Sequence, residues 1–170
     1  VGIVLNNEDA FAGGRHGVMG LSAALSAVEE HGYSIPNEGL PHIPSVTIAR
    51  TMPRRELKGH SIAAVIPAYR VAGQIAGVLR DLPPYLKHVI VVDDASTDGT
   101  AALVQAAAKR DRRVILLRHA KNLGVGGAMV TGFRKALDLG AEIVVKIDGD
   151  GQMDIAYLDA LLMPLVQGRA

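Results

Sequence analysis

The feature that most constrains this chain is a short apolar run that leads directly into two closely spaced acids. Residues 143–147 carry four β-branched apolar side chains in five positions, a pattern typical of a buried strand. Asp148 and Asp150 follow at once, separated by a glycine. Two carboxylates two residues apart on an extended chain point to the same side, where their charges repel unless a cation lies between them. The sequence therefore predicts an acidic site at the end of a buried strand.

A hard divalent cation, Mg²⁺ or Mn²⁺, would satisfy this pair of acids. Such ions prefer oxygen ligands and commonly bridge protein carboxylates to substrate phosphates. Gln152 can add an amide oxygen, and Gly149 and Gly151 permit a sharp turn close to a ligand. We therefore expect Asp148, Asp150 and Gln152 to hold a metal.

The same stretch allows three other interpretations. A solvated turn is one, because Asp and Gly are common turn residues. A calcium loop of the EF-hand type starting at Asp148 is disfavoured, since Met153 and Asp159 stand where glycine and glutamate are required. A Walker phosphate loop is disfavoured because its G-x-x-x-x-G-K-[ST] pattern is missing from the sequence.

The composition is that of an ordinary globular chain. Its 170 residues, 49% of them hydrophobic, suffice for one core. A net charge of +1 and 4% aromatic residues disfavour a nucleic-acid partner. Cysteine is absent, which excludes thiolate metal sites and fits a reducing compartment, so we expect a cytoplasmic location. The sequence shows neither a signal peptide nor an apolar run of 18 residues.

From Ser61 onward, strand patterns alternate with helical ones. The strands are predicted at 62–66, 89–92, 114–117 and 143–147. This alternation favours βαβ units, hence an α/β fold with a mostly parallel, Rossmann-like sheet flanked by helices. Ligands bind beyond the carboxyl ends of such strands. The polar segments 67–69, 93–94, 118–127 and 148–152 all follow strands and are expected to converge on one edge.

The helices are predicted from apolar spacing and from end signals. The first buries Ile75, Val78, Leu79 and Leu82 and ends at Pro83-Pro84. The second begins after Thr97 or Asp98 as a cap and presents a narrow face of Ala102, Leu103, Ala106 and Ala107. The third begins near Gly127, buries Val130, Phe133, Ala136 and Leu137, and ends at Gly140. The last covers 155–166.

The first 58 residues carry weaker patterns. A strand at 3–5, a helix with Val18, Leu21, Leu25 and Val28 on one face, and a proline-marked linker around 36–44 are predicted. We interpret 1–58 as an unassigned extension or linker, and 59–170 as a separate α/β domain.

The predicted edge suits a ligand that carries a diphosphate. Asp94 can accept N–H bonds from a nucleobase or, alternatively, cap a helix. Tyr69 can pack against a base or ribose, or be an ordinary half-buried ring. The glycines from Gly124 to Gly127 offer backbone N–H groups to an anion at a helix start, or merely allow close packing.

From about Ser61 to the end, the chain resembles the nucleotide-binding half of inverting family 2 glycosyltransferases of the GT-A fold. The branch it resembles most contains dolichol- and polyprenyl-phosphate mannosyl- and glucosyltransferases. The resemblance rests on VIPAYR at 65–70, VVDDASTDGT at 91–100, NLGVGGAMVTGFRKAL at 122–137 and KIDGDGQMD at 146–154.

This resemblance implies a function and assigns residues to it. A nucleotide sugar would be the donor, and an acceptor such as polyprenyl phosphate would receive the sugar with inversion. The metal ligands would be Asp148, Asp150 and Gln152, of which Asp148 and Asp150 are the catalytic DxD pair. The donor-binding residues would be Pro67, Ala68, Tyr69, Asp93, Asp94, Asn122, Gly124 and Asp148. Many relatives have Asn-Glu where this chain has Arg70 and Val71.

Two expectations concern the complete protein. Its acceptor-binding half would follow the DxD pair, and it would associate with the cytoplasmic face of a membrane. The alternative functions are a non-catalytic nucleotide-sugar-binding module and, more weakly, an NAD-dependent oxidoreductase. The oxidoreductase is disfavoured because this sequence lacks a G-x-G-x-x-G motif after the first strand of the domain.

Overall fold

The structure is a computed structural model that describes residues 4–6, 18–20 and 57–167. Its strands are β1 (Val4–Asn6), β2 (Val18–Gly20), β3 (Ile62–Ala68), β4 (His88–Asp93), β5 (Val114–Arg118) and β6 (Ile143–Lys146). Its helices are α1 (Ile75–Asp81), α2 (Thr100–Arg110), α3 (Gly124–Asp138) and α4 (Leu158–Val166). Single 3₁₀ turns occupy Leu57–Gly59 and Ile155–Tyr157. Within these described ranges, no helix is long and apolar enough to cross a membrane.

The six strands form one sheet in the order β2–β1–β6–β3–β4–β5. Strands β6, β3, β4 and β5 are mutually parallel, whereas β1 runs antiparallel to β6. The predicted α/β class and mostly parallel sheet are therefore confirmed. The chain builds outward from β3 to β5 and then returns to place β6 on the opposite side of β3. This reversal of direction leaves a crevice at the carboxyl ends of β3 and β6.

The core consists of two apolar layers, one on each face of the sheet. One layer joins alternate strand residues to α1, α2 and α4, and the other joins the remaining strand residues to α3. Residues 62–66 and 89–92 are wholly buried, because helices cover both faces. This double burial explains why these strands show no alternation of polar and apolar residues in the sequence.

Strand β3 extends through Pro67, two residues beyond its predicted end. Val65 is the last residue of β3 that pairs with β6, and its carbonyl accepts the N–H of Ile147 at 3.0 Å. The carbonyl of Ala68 points the other way and accepts the N–H of Asp94 at 2.9 Å. Backbone polar groups alternate between the two neighbouring strands, so the backbone nitrogen of Pro67 faces β6, beyond the last paired residue of that strand. A central strand tolerates this proline because no sheet hydrogen bond is required there.

The predicted inner face of the second helix is wrong in part. In α2 the buried residues are Thr100 and Val104, with Ala107 and Ala108 packed against the core. Leu103 is 40% exposed, and Ala102 faces solvent. Alanines lie on every side of this helix, so the sequence shows no clear apolar face. The packing of the helix against β5 determines which residues face the core.

The prediction for the first helix is confirmed, and that for the third is confirmed only in part, because Val130 is only partly buried. The first helix buries Ile75, Val78 and Leu79 and stops before the two prolines, as expected. In α3 the residues Phe133 and Ala136 are buried as predicted, and Gly140 adopts a left-handed φ of 69° just after the helix.

The short strands β1 and β2 come from the part of the chain that was predicted as an extension. The predicted strand at 3–5 is present, shifted by one residue, and pairs with β6. The predicted helix is wrong over Val18–Gly20, which pair in parallel with β1, because strand pairing overrides a weak helical spacing. The rest of that helix and the proline-marked linker lie outside the described residues. The domain boundary at residue 58 stays a prediction.

Helix α3 lies very close to the sheet at Gly132. A Cβ atom placed on this buried residue would overlap the side chain of Val65 in β3. Glycine is therefore needed for the close approach of α3 to the centre of the sheet, since any side chain would push the helix away.

We expect Gly132→Ala to lower the free energy of unfolding by about 1–3 kcal/mol through this overlap. Urea denaturation followed by circular dichroism would measure the change. Gly126→Ala is the matched control, because it lies in the same helix and its Cβ would meet no atom within 4 Å. That control should leave stability unchanged or raise it by up to about 1 kcal/mol. Equal stability of the two variants would contradict the argument.

Candidate functional site

The carboxyl ends of the four parallel strands meet at one edge through backbone hydrogen bonds. The N–H of His119 donates to the carbonyl of Asp93 at 3.0 Å, which ties the end of β5 to the end of β4. The Asp94–Ala68 and Ile147–Val65 bonds described above tie β4 and β6 to β3. All four polar segments therefore lie along a single edge, as the parallel pattern predicted.

The acidic loop begins directly after β6. Asp148 is partly buried, and Asp150 lies exposed in the turn that follows, where its Oδ1 accepts the N–H of Gln152 at 3.0 Å. A Cβ on Gly149 would lie 3.1 Å from the carbonyl oxygen of Pro67, and Gly151 has a φ of 76°. The first glycine thus lets the loop pack against the end of β3, and the second allows the turn itself.

Lys146 is a member of this site that was not predicted. Its Nζ lies 2.6 Å from Oδ1 of Asp148, and its side chain is 15% exposed. It is the last residue of β6, two positions before Asp148, so the alternation of an extended chain places both side chains on one side. That same alternation, applied to Lys146, was the signal in the sequence.

The residues of the loop fit a hard divalent cation that shares its coordination with other ligands. Two carboxylates and one amide supply oxygen atoms, which Mg²⁺ and Mn²⁺ prefer. Among the described residues, no three His, Cys, Asp or Glu side chains gather as a closed metal cage. This donor set is typical of a cation that also takes phosphate oxygens and water.

A cleft of about 760 Å³ opens beside the acidic loop. One wall is formed by α1 and the segment after it, and the other by residues from Ile147 to Ala156. Asp81, Asp148, Asp150 and Asp154 contribute carboxylates, and no described residue that lines the cleft is basic. Its size is that of a small-molecule site. The other predicted donor-binding residues lie outside its walls.

Asp94 is buried, with 2% of its surface exposed. Its two carboxylate oxygens accept the N–H groups of Leu123 and Gly124, both at 2.8 Å. These are the first donors of α3, so Asp94 caps this helix from the end of a neighbouring strand. Of the two interpretations of Asp94, the geometry favours the cap over direct contact with a base. The cap also explains why α3 begins at Gly124 rather than near Gly127.

A histidine extends this network. His119 lies with Nδ1 2.7 Å from Asp94 Oδ1 and with Nε2 2.9 Å from Thr131 Oγ1. Asn122 donates to the Asp94 carbonyl at 3.3 Å and accepts the N–H of Gly124 at 3.0 Å. The loop before α3 is thus fixed by internal bonds. The N–H of Gly124, which was predicted to bind an anion, already has two acceptors.

Asp93 is wholly buried at the end of β4. Its carboxylate accepts the N–H of Ser96 at 3.3 Å and lies 3.2 Å from Nε of Arg118. A buried carboxylate needs such partners, because an unpaired charge is costly away from water. Asp93 therefore holds the loops that follow β4 and β5.

The loops after β3 and β4 are clasped together by backbone donors and side-chain acceptors. The N–H groups of residues 70–72 donate, at 3.0 Å each, to Ser96 Oγ, Thr100 Oγ1 and Asp98 Oδ2. Hydrogen bonds to the carboxylate hold the pKa of Asp98 below its ordinary value. The bond from the Thr100 hydroxyl has the largest effect, and the bond from the Ala72 N–H has the next largest. Arg70 and Ala95 adopt left-handed φ angles of 56° and 61° within this clasp. Such strain is typical of a functional edge.

Tyr69 stands at the start of the clasp with half of its surface exposed. Pro67 and Ala68 precede it at the end of β3, where Gly149 of the acidic loop packs. An exposed ring at the end of β3 can stack on a planar ligand, while the acidic loop that packs on Pro67 can engage a charged one. The structure thus brings residues 67–69 and 148–152 together. The side chains of Asp93, Asp94 and Asn122 are engaged in hydrogen bonds within the edge, and their role in donor binding stays a prediction.

Comparison with known proteins agrees with this geometry. Residues 63–170 match the family described as Glycosyl transferase family 2. The chain is 32% identical over 118 residues to a UDP-N-acetylglucosamine–dolichyl-phosphate N-acetylglucosaminyltransferase of Methanococcus voltae, covering 62% of this chain and 47% of that protein. It is 36% identical over 104 residues to an undecaprenyl-phosphate mannosyltransferase of Micrococcus luteus, covering 59% and 42%. The chain thus spans about half the length of these curated relatives.

A solved structure shares the fold. It is glucosyl-3-phosphoglycerate synthase from Mycobacterium tuberculosis in complex with Mn²⁺, UDP and glucosyl-3-phosphoglycerate. The TM-score is 0.53 at 23% identity, and the match covers 66% of this chain and 42% of that one. The family match covers more than half of the chain, and the parallel sheet agrees with it. This chain belongs to glycosyl transferase family 2.

Proposed function

We propose that this chain is the donor-binding part of a metal-dependent glycosyltransferase that uses a UDP- or GDP-sugar. In the complete protein the sugar would pass, with inversion, to an acceptor such as a polyprenyl phosphate. The observation that carries the proposal is the placement of Asp148 and Asp150, on a glycine turn at the reversal point of the sheet and beside an open cleft. In such a sheet, this is where ligands bind.

The acidic loop is assigned to the metal and the diphosphate. Asp148, Asp150 and Gln152 supply the protein's oxygen ligands. A bound Mg²⁺ or Mn²⁺ would neutralise the donor diphosphate and stabilise it as a leaving group. The loop is well suited to this role because its backbone is fixed against Pro67 while Asp150 stays exposed.

The nucleoside is assigned to the end of β3. Pro67 and Ala68 bring the chain to the edge, and Tyr69 presents an exposed ring directly after them. Asp93, Asp94, Asn122 and Gly124 act on the donor indirectly in this proposal, since their polar groups hold the adjoining loops. They determine where the loops lie, and Tyr69 and the acids make the contacts.

The acceptor is inferred from chemistry and from the named relatives. Two of them carry dolichyl-phosphate or undecaprenyl-phosphate in their names, which supports a lipid phosphate here. A phosphate oxygen is already ionised at neutral pH, so attack on the sugar would require no strong general base from the protein. Association with a membrane would follow from such an acceptor.

Asp150→Asn tests the proposed metal and donor site. We expect wild-type protein to bind either UDP or GDP in the presence of Mn²⁺ but not of EDTA, because the cation would link the acids to the diphosphate. Loss of one carboxylate should weaken binding by at least about tenfold. Isothermal titration calorimetry would measure both effects.

Asp154→Asn is the matched control for this test. Asp154 lines the same cleft and is exposed, but it lies outside the proposed ligand set. Its amide would still accept the N–H of Ala156, so folding and nucleotide affinity should stay near wild type. A folded wild-type protein that binds neither nucleotide would refute the proposed site. Binding without turnover by the complete protein would instead favour the non-catalytic module.

Asp94→Asn tests the indirect role of the buried carboxylate. The amide removes the negative charge that both N–H groups share. Its nitrogen would face either Leu123 N–H, which then loses this acceptor, or Gly124 N–H, which keeps only Asn122 Oδ1, at a cost of about 1–3 kcal/mol. We expect faster amide hydrogen exchange at these two residues, together with weaker nucleotide binding. Asp138→Asn, an exposed acid at the other end of α3, should change neither. Unchanged exchange rates in Asp94→Asn would contradict the helix-cap argument.

A further inference from the structure

Lys146 forms a close ion pair with Asp148, one of the proposed metal ligands. Their charged atoms are 2.6 Å apart, and the side chains are 15% and 35% exposed. Lys146 belongs to β6, whose pairing with β3 fixes its backbone opposite Val65. The ammonium group is therefore held beside Asp148 by the sheet itself.

This position places two kinds of cation in competition. A divalent ion bound by Asp148 needs the same carboxylate that the ammonium group of Lys146 already engages. Two positive charges within a few ångströms of each other repel strongly where water is partly excluded. Binding of the ion thus requires the lysine to leave Asp148 Oδ1 or to tolerate that repulsion.

We propose that Lys146 is the resident counter-ion of Asp148 and that it sets the affinity of the site for its divalent cation. The inference rests on the proposed metal role of Asp148. Without metal, Lys146 neutralises the acid nearest to the core and relieves its repulsion with Asp150. With metal, an ammonium group displaced from Asp148 would be available to a donor diphosphate, whose negative charge would give it a new partner. Lys146 thereby favours the ion and the diphosphate together over the ion alone.

The test is a titration of the purified protein with Mn²⁺ alone, with free Mn²⁺ followed by electron paramagnetic resonance. We expect Lys146→Met to tighten Mn²⁺ binding roughly three- to tenfold, because a competing charge is removed. Lys146→Gln should do the same while keeping a polar group near Asp148. Lys146→Arg retains the charge and should stay near wild type. Lys109→Met, at an exposed site on α2, is the control for a change in net charge.

A second test measures the melting temperature of the variants, first without metal and then with Mn²⁺. In EDTA, Lys146→Met should unfold at a lower temperature than wild type, since the two acids then repel without a counter-ion. Mn²⁺ should raise its melting temperature more than that of wild type, because binding stabilises the folded state in proportion to affinity.

The outcomes separate this inference from the proposed function. Unchanged or weaker Mn²⁺ binding in folded Lys146→Met and Lys146→Gln, with binding lost in Asp150→Asn, overturns the role of Lys146 alone. Mn²⁺ binding by neither wild type nor any Lys146 variant overturns both this role and the metal site. Tighter binding in Lys146→Met and Lys146→Gln but not in Lys146→Arg supports the proposal.

Discussion

The pairing of β3 with β4 on one side and with β6 on the other is the constraint on which the rest of this structure depends. Because β3 is buried on both faces, its residues are apolar and carry no chemistry of their own. The first polar residues of the edge follow directly after the β3–β6 pairing ends, in the segments that begin at Pro67 and Asp148. The close approach of α3 at Gly132 belongs to the same constraint, since the helix must lie against the strand that it covers.

Buried charge is the second organising principle of the edge. Asp93 ends β4 and Asp94 follows it, both in the interior, and each carboxylate is satisfied by groups of the loops that surround it. The cost of an unpaired buried carboxylate couples the position of these loops to the sheet. Asp148 follows the same logic with Lys146 as its partner. Asp150 lies two residues further on and is exposed, and no described ion pair neutralises it.

Family membership and geometry support each other at this edge. The match to glycosyl transferase family 2 covers 63–170, which includes all four parallel strands and the acidic loop. About half of the length of the curated relatives lies beyond the matched region. In the proposed function, this matched part binds the nucleotide sugar, and the groups that recognise an acceptor belong to the complete protein.

The sequence by itself determined the α/β class, the four parallel strands and their convergence on one edge, because apolar runs and glycine turns are local signals. It also identified Asp148 and Asp150 as a pair, since their spacing is fixed by covalent geometry. Three features are visible only in the folded chain. Asp94 caps α3, Val104 rather than Leu103 faces the core, and Lys146 neutralises Asp148. These features depend on which groups meet across strands and helices that are distant in sequence. Local sequence patterns do not predict such contacts, because the partner of a buried charge depends on how the helices and strands pack.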